Sequence, residues 1–471
     1  MFKLIRSTML VGVVLSALSV AAIAQDKYLS PPPSQQQLNE VRKFNQLAME
    51  GLIGSPGQKR LALDFFVERG GTDMISTLIL MLKLSGESRD IAAALKALTG
   101  EDLPTWHKAM LWQEAHPEIR SHPSYQVFKL RYFGNIDSRF LEFFNPRRAP
   151  AGDMKIRFEE ITWGGVRVDG IPSLDRPTMI TAEDATYLKD DDLVFGVSIN
   201  GDIRAYPLRI MGWHEMFNDV IGGVPVALAY CTLCGSGILF ETVVEPDRDP
   251  LIFGSSGFLY RSNKLMFDRQ SKSLWNQFTG EPVVGPLMGS GIKLKIRPNV
   301  ITSWSAWREA NPKTKVLALE TGFLRDYGSG VVYKDYFASP ELMFPTIVRD
   351  ESLLKRKDYV FGIRDVAAAR AWPISAFEGG RVINDKIGET NIVLIGDTAT
   401  RTVRAYRRGQ RRFKPNNNGS GLVSENGSAW RVEEAFMAGP EDERLSRIPG
   451  HISYWFAWDG YMGLKSSLFG K

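Results

Sequence analysis

Between Gln36 and about Phe144, apolar residues recur at three- and four-residue spacing in QLNEVRKFNQLAMEGLI, RLALDFFVERG, DMISTLILMLKLSG and RDIAAALKALTG. That is the period of helices burying one face. Gly71, Gly86 and Gly100 follow these runs and are expected to stop the helices. Near NPRRAPAGDM, residues 145–154, Pro, Gly and β-branched residues take over, and the texture stays strand-like to the end of the chain. The pattern predicts an α+β protein, with an α-helical domain over 36–148 and a β-rich domain over 150–471. Ahead of both, the apolar run Met9 to Val20 follows Lys3 and Arg6 and ends in Ala22-Ile23-Ala24. This is the layout of a cleaved signal peptide over 1–24, and the run is shorter than the ~20 residues of a spanning helix. The polar, proline-rich residues 25–35 then form a linker. Export to the periplasm or the extracellular space is expected, with no transmembrane segment in the mature chain.

About 447 residues remain after residue 24, more than one hydrophobic core usually supports, so two or three domains are expected. The formal charge of +5 is small for this length and falls further once Lys3 and Arg6 leave, which gives no footing for nucleic-acid binding. The densest basic stretch, RTVRAYRRGQRRFK from Arg401 to Lys414, reads as a solvated β-hairpin turning near Gly409. The short helices of the N-terminal region resemble a HEAT-like solenoid fragment. Such a fragment either docks a protein partner or packs as a cap on the larger domain. His107, His116 and His122 do not share a helix face and read as surface or packing residues.

The β-rich region is self-similar. VFGVSINGDIRAYPL from Val194 lies over VFGIRDVAAARAWPI from Val360 at a constant offset of 166 residues. The same offset pairs Asn218-Asp219 with Asn384-Asp385 and Ile221-Gly222 with Ile387-Gly388. Further on, with shorter loops, Gly285-Pro286 meets Gly439-Pro440, and Trp304 and Trp307 meet Trp455 and Trp458. Each tryptophan pair is spaced to share a helical face and is expected in the core. The reading is an internal duplication about a pseudo-twofold axis, copy one about 190–310 and copy two about 355–460. The copies differ in chemistry: Trp213, His214, Cys231 and Cys234 stand opposite Gly379, Gly380, Asp397 and Thr400, while copy two carries His451 opposite Val300.

IPSL (171–174), INGDIRAYPLRIMGWHEMFNDVIGGVPVALAYCTLCGSGILF (199–240), GFLYRSNKLMFDRQSKSLWNQFTGEPVVGPL (257–287) and HISYWFAW (451–458) together resemble the bacterial domain-of-unknown-function family 3179, over about 160–460. The resemblance implies no activity. It implies a Cys-Pro-x-Cys-Gly pattern, and here Thr232 stands where that proline would be.

Cys231 and Cys234 are the only cysteines, and three readings of them stay open. As metal ligands they present two soft thiolates, with His214 and His451 completing a set that suits zinc or copper. As a dithiol they would exchange with a partner's disulfide, although GSGILFETVV behind Cys234 reads as a strand and not as the helix such motifs usually open. As a structural pair they would fasten a turn between strands, closing a loop too short to stabilise much. Glu215 and Trp213 flank His214, and Asp268, Arg269 and Glu281 either line a pocket or pair across strands. No Gly-x-Ser-x-Gly elbow, phosphate loop or His-Glu-x-x-His helix is present, so hydrolase and nucleotide chemistry have no motif. The expected function is that of an exported metal-binding or redox protein. A non-catalytic scaffold with a structural cysteine pair is the alternative.

Overall fold

The fold is known from a computed structural model, which describes residues 34–145, 154–348, 350–364, 368–416 and 421–470. The expected signal peptide, most of the linker and most of the expected domain boundary lie outside the described residues. Helices and sheets both contribute substantially, so the chain is α+β.

The N-terminal segment is helical over Gln35–Ile53, Pro56–Arg69, Ile75–Leu84, Arg89–Thr99, Trp106–Ala115 and Ser124–Ile136. Ser34 and Ser55 cap the first two helices, each exchanging hydrogen bonds with a glutamine three residues on, Gln37 and Gln58. The second helix stops at Gly70, in the left-handed conformation at φ 65°, one residue before the expected Gly71. Gly71 is extended and opens the following turn. Gly86 and Gly100 are left-handed as expected. The helices are packed against a β-sheet: Phe133 and Phe140 meet Phe258 with ring centroids 4.6 and 4.5 Å apart, inside one continuous apolar core. Among the described residues no helix is long and apolar enough to cross a membrane.

In the β-rich region, Leu193–Ile199 and Asp202–Pro207 form a hairpin, joined by Val300–Ser303 antiparallel to the first strand and Lys315–Leu317 parallel to the second. The same order and senses recur in Tyr359–Arg364, Ala369–Pro373, His451–Tyr454 and Ser466–Leu468. A helix opening with a buried tryptophan follows each outer strand, Trp304–Ala310 and Trp455–Met462. The second tryptophan of each helix lies on a strand glycine. A Cβ would stand 2.2 Å from the Trp307 ring at Gly196 and 1.9 Å from the Trp458 ring at Gly362, so no larger residue fits beneath either indole.

Behind each hairpin, three consecutive antiparallel strands carry the chain onward: Met216–Ile221, Val224–Cys231 and Ser236–Glu241, then Arg381–Ile387, Thr390–Asp397 and Thr402–Arg407. In the C-terminal half they belong to an eight-stranded sheet that nearly closes on itself. Its two end strands meet through Asn384, whose side-chain amide donates to the Phe413 carbonyl and accepts from the Phe413 amide at 2.7 and 2.8 Å. Asn218 clasps the backbone of Phe253 in the same way at 2.8 and 2.9 Å.

The expected hairpin at Arg401 to Lys414 is not found. Thr402–Arg407 is an interior strand, and Phe413–Pro415 pairs with Leu422–Ser424 instead. The arginines mislead because several are partnered internally: Arg404 on Glu434, and Arg408 on the carbonyls of Ile392 and Arg411. Val403, Ala405 and Tyr406 are buried, so the segment is a core strand and not a solvated edge.

Candidate functional site

Strand Val224–Cys231 delivers Cys231 into a tight turn in which the Cys234 amide donates to the Cys231 carbonyl and the Gly235 amide to the Thr232 carbonyl, each at 3.2 Å. Gly235 is left-handed at φ 60°, and Tyr359 and Tyr454 pack onto it. Ser236 then starts the next strand, as the sequence pattern predicts. This geometry sets the two Sγ atoms 2.8 Å apart, with Cys231 2% exposed and Cys234 fully buried. Cys234 is embedded in an amide network: Asn263 Nδ2 donates to its Sγ at 3.1 Å and to Gln277 Oε1 at 3.0 Å, and Gln277 Nε2 donates to the carbonyl of Ala229. Burial pushes the Cys234 thiol well up, and the adjacent Cys231 adds to the effect.

Helix Leu208–His214 ends at Glu215, whose backbone is left-handed. The turn directs its carboxylate at the cysteine loop, where it accepts from the Thr232 hydroxyl at 2.8 Å, the Tyr333 hydroxyl at 3.1 Å and Lys264 Nζ at 3.1 Å. Both charges of the Lys264–Glu215 pair are buried, and removing either partner would leave the other as an uncompensated buried charge. Glu215 is also the main cause of a raised Tyr333 pKa, ahead of burial. Glu215, Cys231, Thr232, Lys264 and Tyr333 line one narrow cleft of about 40 Å³, which Cys234 does not reach. On the opposite side of the turn, the Tyr454 amide donates to the Cys234 carbonyl at 2.7 Å, and Arg401 donates to the Tyr359 hydroxyl at 3.0 Å. Those tyrosines, with Tyr230 and Arg401, form part of the wall of a cavity of about 800 Å³.

The other residues singled out from the sequence lie elsewhere. His214 Nδ1 bonds the Pro172 carbonyl at 2.9 Å and Nε2 the Tyr327 hydroxyl at 2.6 Å, so both ring nitrogens are engaged, and burial lowers its pKa. His451 is buried beside Phe278 and Trp458. Among the described residues no group of three or more His, Cys, Asp or Glu is disposed to hold a metal ion. Trp213 Nε1 donates to the Asp326 carbonyl. Asp268 is consumed by its own turn, accepting from Ser271 and from Trp275 Nε1. Arg269 pairs with Asp169 and Asp175, and Glu281 with Lys155 and Lys293.

Lys264 and Tyr333 were not expected at the site. Lys264 carries a signal, as a charge placed directly before the apolar run Leu265-Met266-Phe267. Tyr333 is about a hundred residues from the cysteines, in a segment without periodicity, and carries none. A family model described as "Protein of unknown function (DUF3179)" matches residues 168–464. No curated protein and no solved structure matches the chain.

Proposed function

The chain belongs to that family, which brings no assigned chemistry with it, and from its own geometry we propose that Cys231 and Cys234 are a two-electron dithiol–disulfide couple. The observation that carries the reading is the 2.8 Å separation of the two sulfurs, which leaves little movement between the dithiol and a disulfide. Cys231, which borders the cleft, is the attacking sulfur, and Cys234, held against Asn263, is the resolving one. The Cys231 thiolate attacks one sulfur of a partner's disulfide, forming a mixed disulfide and releasing the other sulfur as a thiolate. That thiolate takes the Cys234 proton. Cys234 then displaces the remaining partner sulfur, so two electrons pass to the partner and the Cys231–Cys234 bond closes. The cleft has room for about one or two water molecules, so the partner presents a bare sulfur on a slender arm. Glu215 and Lys264 fix the cleft wall. An oxidising, extracytoplasmic setting, expected from residues 1–24, fits such a couple.

The test is thiol trapping of the full chain in glutathione buffers of graded potential, read by intact mass, together with metal analysis of protein taken from its native compartment. A reversible step in which both cysteines gain or lose reactivity together, without denaturant, is the expected result. Cysteines that never exchange in the folded protein overturn the proposal in favour of a structural pair. One equivalent of metal, lost in Cys231→Ser, overturns it in favour of the metal reading.

We also infer that the two halves descend from one duplicated unit, with only the first keeping thiols. Residues 166 positions apart make equivalent contacts, which supports this reading. Asp219 accepts from Tyr206 and Arg204, each at 2.7 Å, and Asp385 accepts from Trp372 and Arg370 at 2.9 and 3.0 Å. The Asn218 and Asn384 clasps and the glycines beneath Trp307 and Trp458 follow the same correspondence.

A further inference from the structure

A second large cavity, of about 660 Å³, lies between the segment around Lys293 and the strand that ends at Arg364. Its volume falls within the range of small-molecule sites. The charged lining is one-sided, with Arg364, Lys293, Lys295, Arg407 and Lys465 against the carboxylate of Glu281. Lys293 lies 3.5 Å from Glu281, and Lys295 lies 3.0 Å from Glu241. Arg364 has no such support. Its Nε, Nη1 and Nη2 are all shut off from solvent and have no acceptor among the described residues. Its guanidinium carbon lies 5.9 Å from the ring centroid of Phe278. His451, which borders Phe278, likewise has an orphaned Nε2.

A guanidinium carries five N–H donors and no acceptor, so burying it without an anion forfeits hydration that nothing replaces. Burial brings its pKa down to about 10, with Glu281 only partly opposing. The rest of the wall is mostly apolar and includes Leu294, Ile387, Ile448 and Met462. A planar fork of donors beside apolar surface, ringed by ammonium groups, matches an oxyanion head carried on a hydrophobic body.

We propose that this cavity binds a small organic anion, Arg364 taking its carboxylate or phosphate head and the apolar wall its body. The site is independent of the cysteine couple.

Calorimetric titration of the full chain with octanoate, phenyl phosphate and neutral 1-octanol tests it, alongside the melting temperature of Arg364→Met without ligand. Binding of at least one of the two anions is expected, and the tighter one identifies the head. Octanol should bind at least tenfold more weakly, and Arg364→Met should lose at least tenfold in affinity while Cys231→Ser binds as the wild type does. Methionine keeps the apolar stem, so the variant should melt no lower than the wild type. The proposal is overturned if neither anion binds, if octanol matches octanoate, or if Arg364→Met binds unchanged. It also fails if that variant melts several degrees lower, because the guanidinium then has a partner inside the protein.

Discussion

Glu434 offers a stringent test of the electrostatics of the C-terminal half. Its carboxylate is buried between Arg404 and Arg447, and Arg447 also donates to the Glu434 carbonyl and, across the molecule, to the Asn299 carbonyl at 3.1 Å. Burial alone would raise its pKa, but the two guanidinium groups overcome this and hold the carboxyl at about 2 against an ordinary 4.5. A folded-state pKa below the unfolded one contributes stability above about pH 4.5 that is lost as pH falls through 2. At about 1.4 kcal/mol per unit the full contribution is about 3 kcal/mol, of which about 2 kcal/mol is gone by pH 3. Glu434→Gln keeps the shape but leaves two buried cations unneutralised, at a cost of about 3–5 kcal/mol. Urea unfolding of wild type and variant at pH 7 and pH 3 reads both numbers. The stability gap should be several kcal/mol at pH 7 and should shrink by about 2 kcal/mol at pH 3. A gap under ~1 kcal/mol, or one independent of pH, refutes the reasoning.

Gly362→Ala drives a methyl group into the Trp458 ring and should cost at least about 1–3 kcal/mol, with Gly196→Ala costing a similar amount against Trp307; wild-type melting of either variant would show that the indole can move aside. Tyr327→Phe removes the hydroxyl bonded to His214 Nε2 and should cost about 1–3 kcal/mol by leaving a buried acceptor unpaired, as measured by chemical denaturation. Burial depresses the pKa of His214 and, more strongly, of His451, so the unfolded chain takes up protons below pH ~6.5 that the folded chain refuses. Stability should therefore fall as pH drops from 7 to 5.5, and His451→Phe should flatten that slope by at most about 1.4 kcal/mol per pH unit. An unchanged slope in the variant would disprove the assignment.

Much of the architecture was legible because period and composition act locally. The helical segment, the strand texture after it, the strand behind Cys234 and the buried tryptophan pairs all follow from spacing. The two stretches matched at an offset of 166 residues each form a strand hairpin. What failed depends on partners remote in sequence. The arginines between Arg401 and Lys414 looked solvated because nothing local announces Glu434 as the neighbour of Arg404. His214 looked like a ligand beside the cysteines. The groups that engage it are the Pro172 carbonyl and the Tyr327 hydroxyl, and the sequence shows neither as a neighbour. Glu215, adjacent to His214, does reach the cysteine loop, since the left-handed turn at the end of its helix sends it there.

The asparagine clasps at Asn218 and Asn384 give the protein a protection that its ladder alone would lack. A sheet left open presents unsatisfied peptide groups along its margin, and a foreign strand can add to them. Here a primary amide mimics one peptide unit and occupies both groups of Phe253 or Phe413. Each short side chain thereby does the work of one added peptide unit. They keep each seam shut against intruding chains, at the small cost of fixing one rotamer apiece.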